Sequence, residues 1–282
     1  MTLGAFCRLV RREYKTQHGE RFFTEKALIS ALLEKNGIER SAPLCHPDRE
    51  LSPAEEKSLA HDLARLLCGE PMQYYLGTEF FLGREFFVEE GVLIPRPETE
   101  VLVRLCIQEV PAGGLLFDFC CGSGCVGIAF LLERTDACCA SFDISEKAIS
   151  LTQKNRDHFG LEKRLSVECR DLLLPETTAM IREKKPALIA ANPPYLAPLE
   201  METLLPNVAR EPRTALLGGG DGLLFYRAFA HLASQTKTPL ACEIGWQQKE
   251  AVQKILSIEG LRADFYQDSE GRDRAFYAVS NR

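Results

Sequence analysis

Leu115-Leu116-Phe117-Asp118-Phe119-Cys120-Cys121-Gly122-Ser123-Gly124-Cys125-Val126-Gly127 is the stretch whose reading decides the fold. Leu115 to Phe119 is an apolar run of strand length broken by Asp118. The tight loop Cys121 to Gly124 leads into an apolar helix, Val126 to Leu132. A strand that turns through glycines straight into a helix is the opening unit of a parallel sheet, and such sheets bind ligands beyond the carboxyl ends of their strands.

The pattern repeats downstream. Ala140-Ser141-Phe142-Asp143 closes a second strand, and Ser145 caps a helix from Glu146 to about His158. Leu165 to Cys169 is a third strand, Pro186 to Ile189 a fourth and Pro239 to Ile244 a fifth. Strands alternating with helices predict an α/β domain with helices on both faces of the sheet. Gly218 to Gly222 reads as a flexible turn before a helix through Leu232, and Gln247 to Ile258 reads as another helix. Ala263 to Tyr266 and Ala275 to Val279 flank the polar Asp268 to Asp273, which predicts a terminal antiparallel hairpin.

Upstream the periodicity is helical from Leu3 to about Leu76. Phe22-Phe23 leads to Thr24 and a helical run of apolar residues, Ala27, Leu28, Ala31 and Leu32. Ser52-Pro53-Ala54-Glu55 has the residues of a helix start, and Leu59, Leu63, Leu66 and Leu67 line one face. Glu79 to Val88 holds two aromatic runs around Gly83 and predicts a β-hairpin. Glu98-Thr99-Glu100 then starts a helix through about Glu109. The domain reading is a helical domain over 1–76, a hairpin linker over 77–93 and an α/β domain over 94–282.

Two loops carry the chemistry. Gly122 to Gly127 matches G-x-G-x-x-G, and Asp143 stands at the next strand end, where a ribose-binding acid belongs. A dinucleotide would place pyrophosphate near Asp118, and two unit charges about 4 Å apart at an effective dielectric near 20 repel by on the order of 4 kcal/mol. The same carboxylate would attract a ligand carrying an ammonium, such as the methionine part of S-adenosylmethionine. Asp143 would then accept from the ribose hydroxyls, while Asp171 and Leu172 hold the adenine edge and face.

The second loop is Asn192-Pro193-Pro194-Tyr195, at the end of the fourth strand. Two prolines fix φ and hold the Asn out of the α region, so the Asn192 side-chain oxygen and the Pro193 carbonyl form a rigid pair of acceptors beside the Tyr195 ring. Such a pair suits a planar –NH2 group. A proline-rich turn explains N-P-P taken alone; it does not explain N-P-P-Y together with the glycine loop and both acids.

Composition narrows the classes. The chain has 282 residues, 45% apolar and 26% charged, and a net charge of -6, as in ordinary globular proteins. A pI near 5.6 argues against a surface built to neutralise many phosphates. The absence of a membrane-length apolar run and of a signal-peptide core predicts a cytoplasmic protein with no membrane partner. Eleven cysteines, an odd number without C-x-x-C, read as reduced thiols packed as small hydrophobes, with no metal site. His18, His46, His61, His158 and His231 have no spacing that implies ligation or catalysis.

With these residues assembled, the chain closely resembles the release-factor glutamine N5-methyltransferases, the PrmC/HemK family. The likeness rests on Gly69-Glu70-Pro71, Tyr75-Leu76-Gly77, Gly91 to Glu100 with its I-P-R-P-E-T-E core, Asp118 to Gly124, Asn192 to Tyr195 and Glu211 to Leu216. It implies a seven-stranded Rossmann-like class I methyltransferase domain, a small N-terminal helical domain for substrate recognition and a hairpin linker. The implied reaction methylates the glutamine side chain of the Gly-Gly-Gln motif in class I peptide chain release factors, with S-adenosyl-L-methionine as donor and S-adenosyl-L-homocysteine as product. The implied donor site is Asp118, Cys120, Cys121, Gly122, Ser123, Gly124, Asp143, Asp171, Leu172 and Asn192. Asn192, Pro193, Pro194 and Tyr195 would hold the substrate amide and carry catalysis.

Two departures from the family pattern stand out. Cys120 replaces the first glycine of D-x-G-x-G-x-G, which should crowd the loop unless its φ is negative, and Leu172 stands where a member of the family has a tryptophan. The alternatives are a glutamine methyltransferase of a ribosomal protein, whose branch carries V-P-R-S-P, a nucleic-acid amino-methyltransferase, and a NAD(P)-dependent oxidoreductase. Direct nucleic-acid binding is disfavoured by the acidic pI and by the lack of an interleaved basic and aromatic stripe.

Overall fold

The structure is a computed structural model that describes residues 1–16 and 23–281; Phe22 and His18 of the readings above lie outside the described residues. The chain divides into two compact units, Met1–Gly77 with Leu204–Arg210, and Thr78–Thr203 with Glu211–Arg282.

The first unit holds α1 (Leu3–Thr16), α2 (Glu25–Lys35), α3 (Ala42–Cys45), α4 (Pro53–Leu67) and α5 (Met72–Leu76). Thr24 accepts the Ala27 N–H to start α2, and Ser52 and Glu55 exchange hydrogen bonds in a capping box that starts α4. Leu3, Phe6, Val10, Leu28, Leu32, Leu59 and Leu66 close one apolar core. Inside it the Tyr75 hydroxyl and the Asn36 amide both donate to Asp62, so the buried carboxylate is satisfied.

The second unit begins with the hairpin β1 (Thr78–Phe81) and β2 (Arg84–Phe87), paired from Thr78↔Phe87 to Phe81↔Arg84. A 3-10 turn, Pro97–Thr99, runs into α6 (Glu100–Glu109). Then come β3 (Leu115–Phe119), α7 (Cys125–Glu133), β4 (Cys138–Asp143), α8 (Glu146–His158), β5 (Leu165–Cys169), α9 (Pro175–Lys184) and β6 (Leu188–Ala191). After α10 (Pro198–Glu202), α11 (Leu224–Thr236), β7 (Leu240–Glu243) and α12 (Lys249–Ile258), the strands β8 (Leu261–Gln267) and β9 (Asp273–Ser280) end the chain. The seven-stranded sheet runs β5-β4-β3-β6-β7-β9-β8; β5 to β7 are parallel, and β9 is antiparallel to both β7 and β8. This is the α/β sheet that the alternation predicted, with the seven strands of the class I methyltransferase fold that the resemblance implied. The helix α9 has no counterpart in the sequence reading: its charged residues dilute the apolar stripe, and it buries only Thr177 and Ile181.

Both sheet faces are covered, so central strands are apolar throughout. Leu116, Ala190 and Ala241 face a core shared with α6 and α7, whereas Phe117, Phe119, Ile189 and Cys242 face a core shared with α11 and α12. Parallel register aligns Asp118 with Ala190 and Ala190 with Ala241. By the period-2 rule, Asp118, Asn192 and Glu243 therefore turn toward the same face, that of α6 and α7. Of the eleven free cysteines, Cys7, Cys106, Cys121, Cys125, Cys139 and Cys242 are buried as read, but Cys45, Cys68, Cys138 and Cys169 are exposed.

Candidate active site

A cleft of about 1160 Å³, counting its open mouth, lies at the carboxyl ends of β3, β4 and β6. Its walls include Cys120, Cys121, Gly122, Ser123, Asp143, Asp171, Leu172, Asn192 and Pro194. The loop after β3 is pinned from several sides. Gly122 N–H donates to Asp143 Oδ2 at 3.0 Å, Thr152 Oγ1 donates to the Gly122 carbonyl at 3.0 Å, and the Asn155 amide donates to the Ser123 carbonyl at 2.9 Å. Asn155 also exchanges two hydrogen bonds with Phe87 of β2, which couples the hairpin to this loop. Gly122 and Gly124 have positive φ, and a Cβ on Gly124 would stand 2.7 Å from Thr152 Cγ2, so glycine alone permits this approach.

Cys120 adopts φ +57°, the left-handed conformation its glycine counterpart would take freely. The side chain is accommodated because it packs on the core beside α11 and α12, against a backbone cost of roughly 1–2 kcal/mol. Burial pushes the Cys120 and Cys121 thiols well above their usual range, so neither is a nucleophile at neutral pH.

Asp118 is placed differently from the expectation of a carboxylate facing the ligand. It is 1% exposed and is absent from the cleft wall, which its neighbours Phe119 and Cys120 form instead. Asp118 Oδ2 accepts from Ser141 Oγ at 3.0 Å and from Gly127 N–H at 3.2 Å, beneath the first turn of α7. Burial pushes its carboxyl up to about 7, against the opposing pull of those two donors. Asp143 does line the cleft, with one oxygen on Gly122 N–H and the other on Ser145 N–H at 2.9 Å. Each carboxylate oxygen keeps a second acceptor site. Asp171 Oδ1 accepts the Leu173 N–H, and Leu172 packs on the core as an apolar shelf at the mouth, beside Ile144 and Leu173.

On the other side, Asn192 Nδ2 donates to Thr99 Oγ1 at 3.1 Å, and Thr99 Oγ1 donates to Glu243 Oε2 at 2.6 Å. Among the described residues no protein donor takes Asn192 Oδ1 or the Pro193 carbonyl. Both acceptors are thus without a protein partner. Asn192 and Pro194 reach the cleft, whereas Pro193 and Tyr195 do not line it. Tyr195 packs on the core beside α11 and α12, and burial raises its phenol, which stays neutral.

The N-P-P-Y loop sits in a backbone cradle the sequence reading took for a flexible turn. A Cβ on Gly218 would lie 2.7 Å from the Pro194 carbonyl oxygen and 2.7 Å from Tyr195 Cα, and one on Gly222 would lie 2.5 Å from the Tyr195 carbonyl oxygen. These glycines are there for close backbone approach. Gln248 Nε2 donates to the Tyr195 carbonyl at 2.8 Å and fixes the far end of the loop.

Two segments that carry the family resemblance meet here, a contact the sequence did not show. Glu211 is buried and accepts both the Ile94 N–H at 3.0 Å and the Arg96 guanidinium, joining the I-P-R-P and E-P-R-T segments along one wall. Their coupling spans well over a hundred residues, and only the presence of charged residues in two proline-flanked runs hints at it. Among the described residues no group of three His, Cys, Asp or Glu side chains is placed to hold a metal ion, and no helix is long and apolar enough to cross a membrane.

The cleft fits S-adenosylmethionine by its own chemistry: a glycine loop open to backbone approach, a carboxylate with spare acceptor sites at the second strand end, and an apolar shelf.

Comparison with known proteins gives concordant results. Residues 97–240 match the Methyltransferase small domain family and residues 25–77 match the PrmC N-terminal domain. The release factor glutamine methyltransferase of Geobacter sulfurreducens is 35% identical over 265 residues, covering 90% of this chain and 91% of the relative. That of Bacillus subtilis is 34% identical over 278 residues, covering 94% of each. Among solved structures, the hMettl16 catalytic domain in complex with MAT2A 3′UTR hairpin 1 superposes with a TM-score of 0.56 at 15% identity, covering 81% of this chain and 80% of that one. That likeness speaks to the fold alone.

Proposed function

The chain belongs to the release factor glutamine methyltransferase family, and from that premise we propose that it transfers a methyl group to N5 of the glutamine in the Gly-Gly-Gln motif of class I peptide chain release factors. The enzyme is a methyltransferase, and its donor is S-adenosyl-L-methionine. The observation that carries the amide assignment is the pair of acceptors without a protein donor among the described residues, Asn192 Oδ1 and the Pro193 carbonyl, on a loop locked by two prolines and a glycine cradle.

When bound, the donor supplies an electrophilic methyl group. Cys120, Cys121, Gly122 and Ser123 give it a backbone cradle, Asp143 accepts from its ribose and Asp171 with Leu172 holds its base. Asp118 acts one layer behind, fixing the first turn of α7 and thereby the loop, with Gly124 as the hinge into that helix. An amide nitrogen is a weak nucleophile, and no side chain in the loop is basic enough to deprotonate it first. Asn192 and Pro193 therefore work by aiming acceptors at the two N–H bonds, which stabilises positive charge as it grows on nitrogen. They also hold the nitrogen in line for attack, an effect worth roughly 7 to 11 kcal/mol in favourable cases. Pro194 stiffens the turn and Tyr195 backs it. The helical unit recognises the protein substrate, and the reaction belongs in the cytoplasm, where release factors act.

The test is incubation of the purified protein with isotope-labelled donor and recombinant release factor, followed by mass spectrometry of the Gly-Gly-Gln peptide. Label on the glutamine side chain supports the reading. An unlabelled peptide from a competent preparation defeats it.

A further inference from the structure

Asn192 can serve an –NH2 group only if its oxygen, and not its own –NH2, faces the cleft. Nothing in the N-P-P-Y loop itself decides that orientation, because the two ends of a carboxamide have nearly the same shape. The decision lies two hydrogen bonds away. Thr99 has one hydroxyl proton, and it is donated to Glu243 Oε2 at 2.6 Å. Toward Asn192, 3.1 Å away, Thr99 Oγ1 is then only an acceptor, so the atom facing it must be Nδ2 and the oxygen turns outward.

We propose that Glu243, acting through the Thr99 hydroxyl, is a positioning residue that keeps the Asn192 carboxamide oxygen turned toward the substrate amide. The proposal rests on the methyl-transfer reading above and adds two residues that touch neither reacting atom. Thr99 comes from the I-P-R-P-E-T-E segment and Glu243 from the last position of β7, so the relay joins three distant stretches around one site.

The relay is directional only while Glu243 is ionised. A protonated carboxyl can donate to Thr99 Oγ1, which frees the hydroxyl proton for Asn192 and stabilises the flipped amide, with its –NH2 outward. Glu243 is 2% exposed, and burial pushes it up to about 7; the Thr99 donor opposes this, the Glu98 carboxylate from the 3-10 turn adds to it, and Arg274 from β9 and Arg96 pull it down. Tyr195, Tyr226 and Cys125, the neutral titratable groups near it, are all raised by burial and stay neutral. Burial pushes Asp118 up to about 7 as well, so the variants must separate the two acids.

The test reads the Asn192 side-chain amide signal in 15N-labelled protein, assigned by its loss in Asn192→Ala, across pH 6 to 9. In the same series kcat and KM are measured on recombinant release factor for the wild type, Thr99→Val, Thr99→Ser and Glu243→Gln. In the wild type the signal should shift with a midpoint near 7, and kcat should fall below it. Thr99→Val and Glu243→Gln should abolish that shift. Thr99→Val should lower kcat by at least about tenfold with a much smaller change in KM, the signature of lost alignment, while Thr99→Ser recovers most of it. Unchanged binding of S-adenosylhomocysteine by calorimetry certifies that each variant is folded. A pH-independent Asn192 signal in the wild type, or a shift that persists in Glu243→Gln, overturns the proposal. A wild type that shows the shift but leaves the glutamine unmethylated keeps the relay and defeats the functional reading instead.

Discussion

Asp118 and Glu243 lie near the carboxyl ends of β3 and β7, the two strands that flank β6, and both are buried on the face of α6 and α7. Burial pushes each up to about 7, so electrostatics alone would rank them as equal site candidates. Their partners separate them. Asp118 accepts from Gly127 N–H and Ser141, so its influence ends in the backbone that shapes the glycine loop. Glu243 accepts from Thr99, which accepts in turn from Asn192, so its influence ends at the acceptor of the substrate amide. A perturbed buried acid is thus assigned by where its hydrogen bonds lead.

The largest expected effect breaks the Glu243 side at its end. Asn192→Ala should lower turnover by at least about 10²-fold, by analogy with loss of one preorganised transition-state partner, while S-adenosylhomocysteine still binds. Calorimetry and single-turnover kinetics on the same preparation check it, and near wild-type turnover would remove Asn192 from the mechanism.

The Asp118 side is tested by crowding. A Cβ on Gly127 would stand 2.8 Å from Ser141 Oγ, 2.9 Å from Cys139 Sγ and 3.0 Å from Asp118 Oδ2. Gly127→Ala should therefore destabilise the protein by about 1–3 kcal/mol in urea unfolding, the usual range for overpacking. An unchanged midpoint would show that this corner is loosely packed.

The third expectation is shared by both acids. Their folded values near 7 lie above the ordinary 3.8 and 4.5, so between about pH 4 and 7 the folded state binds more protons than the unfolded chain. Stability then falls as pH rises through that window, by up to about 1.4 kcal/mol per pH unit for each group, and the full cost is present above 7. Asp118→Asn and Glu243→Gln should each flatten part of this slope in urea titrations at several pH values. Only Glu243→Gln should also remove the acid limb of kcat. If Asp118→Asn removes that limb as well, the two regions do not differ as described.

The sheet and the two loops were legible because their signals are local: strand-length apolar runs, glycines at a strand-to-helix turn, two prolines after an Asn. The helix α9 was not, since most of it faces away from any core. The orientation of Asp118 follows from alternation at the end of β3, where Phe119 meets one core and Asp118 turns to the other side beneath α7, whereas its charge alone points to the ligand. Gly218 and Gly222 looked like slack because their purpose, contact with the Pro194 and Tyr195 backbone, exists only after the chain folds back. Thr99 and Glu243 were invisible as a pair for the same reason, being 144 residues apart.

The most direct measurement is a crystal structure with S-adenosylhomocysteine and a Gly-Gly-Gln peptide bound. The glutamine –NH2 should lie within hydrogen-bond reach, about 2.7–3.2 Å, of both Asn192 Oδ1 and the Pro193 carbonyl oxygen, with Asn192 Nδ2 still on Thr99. A glutamine amide held elsewhere, or an Asn192 whose Nδ2 faces the peptide, would contradict it.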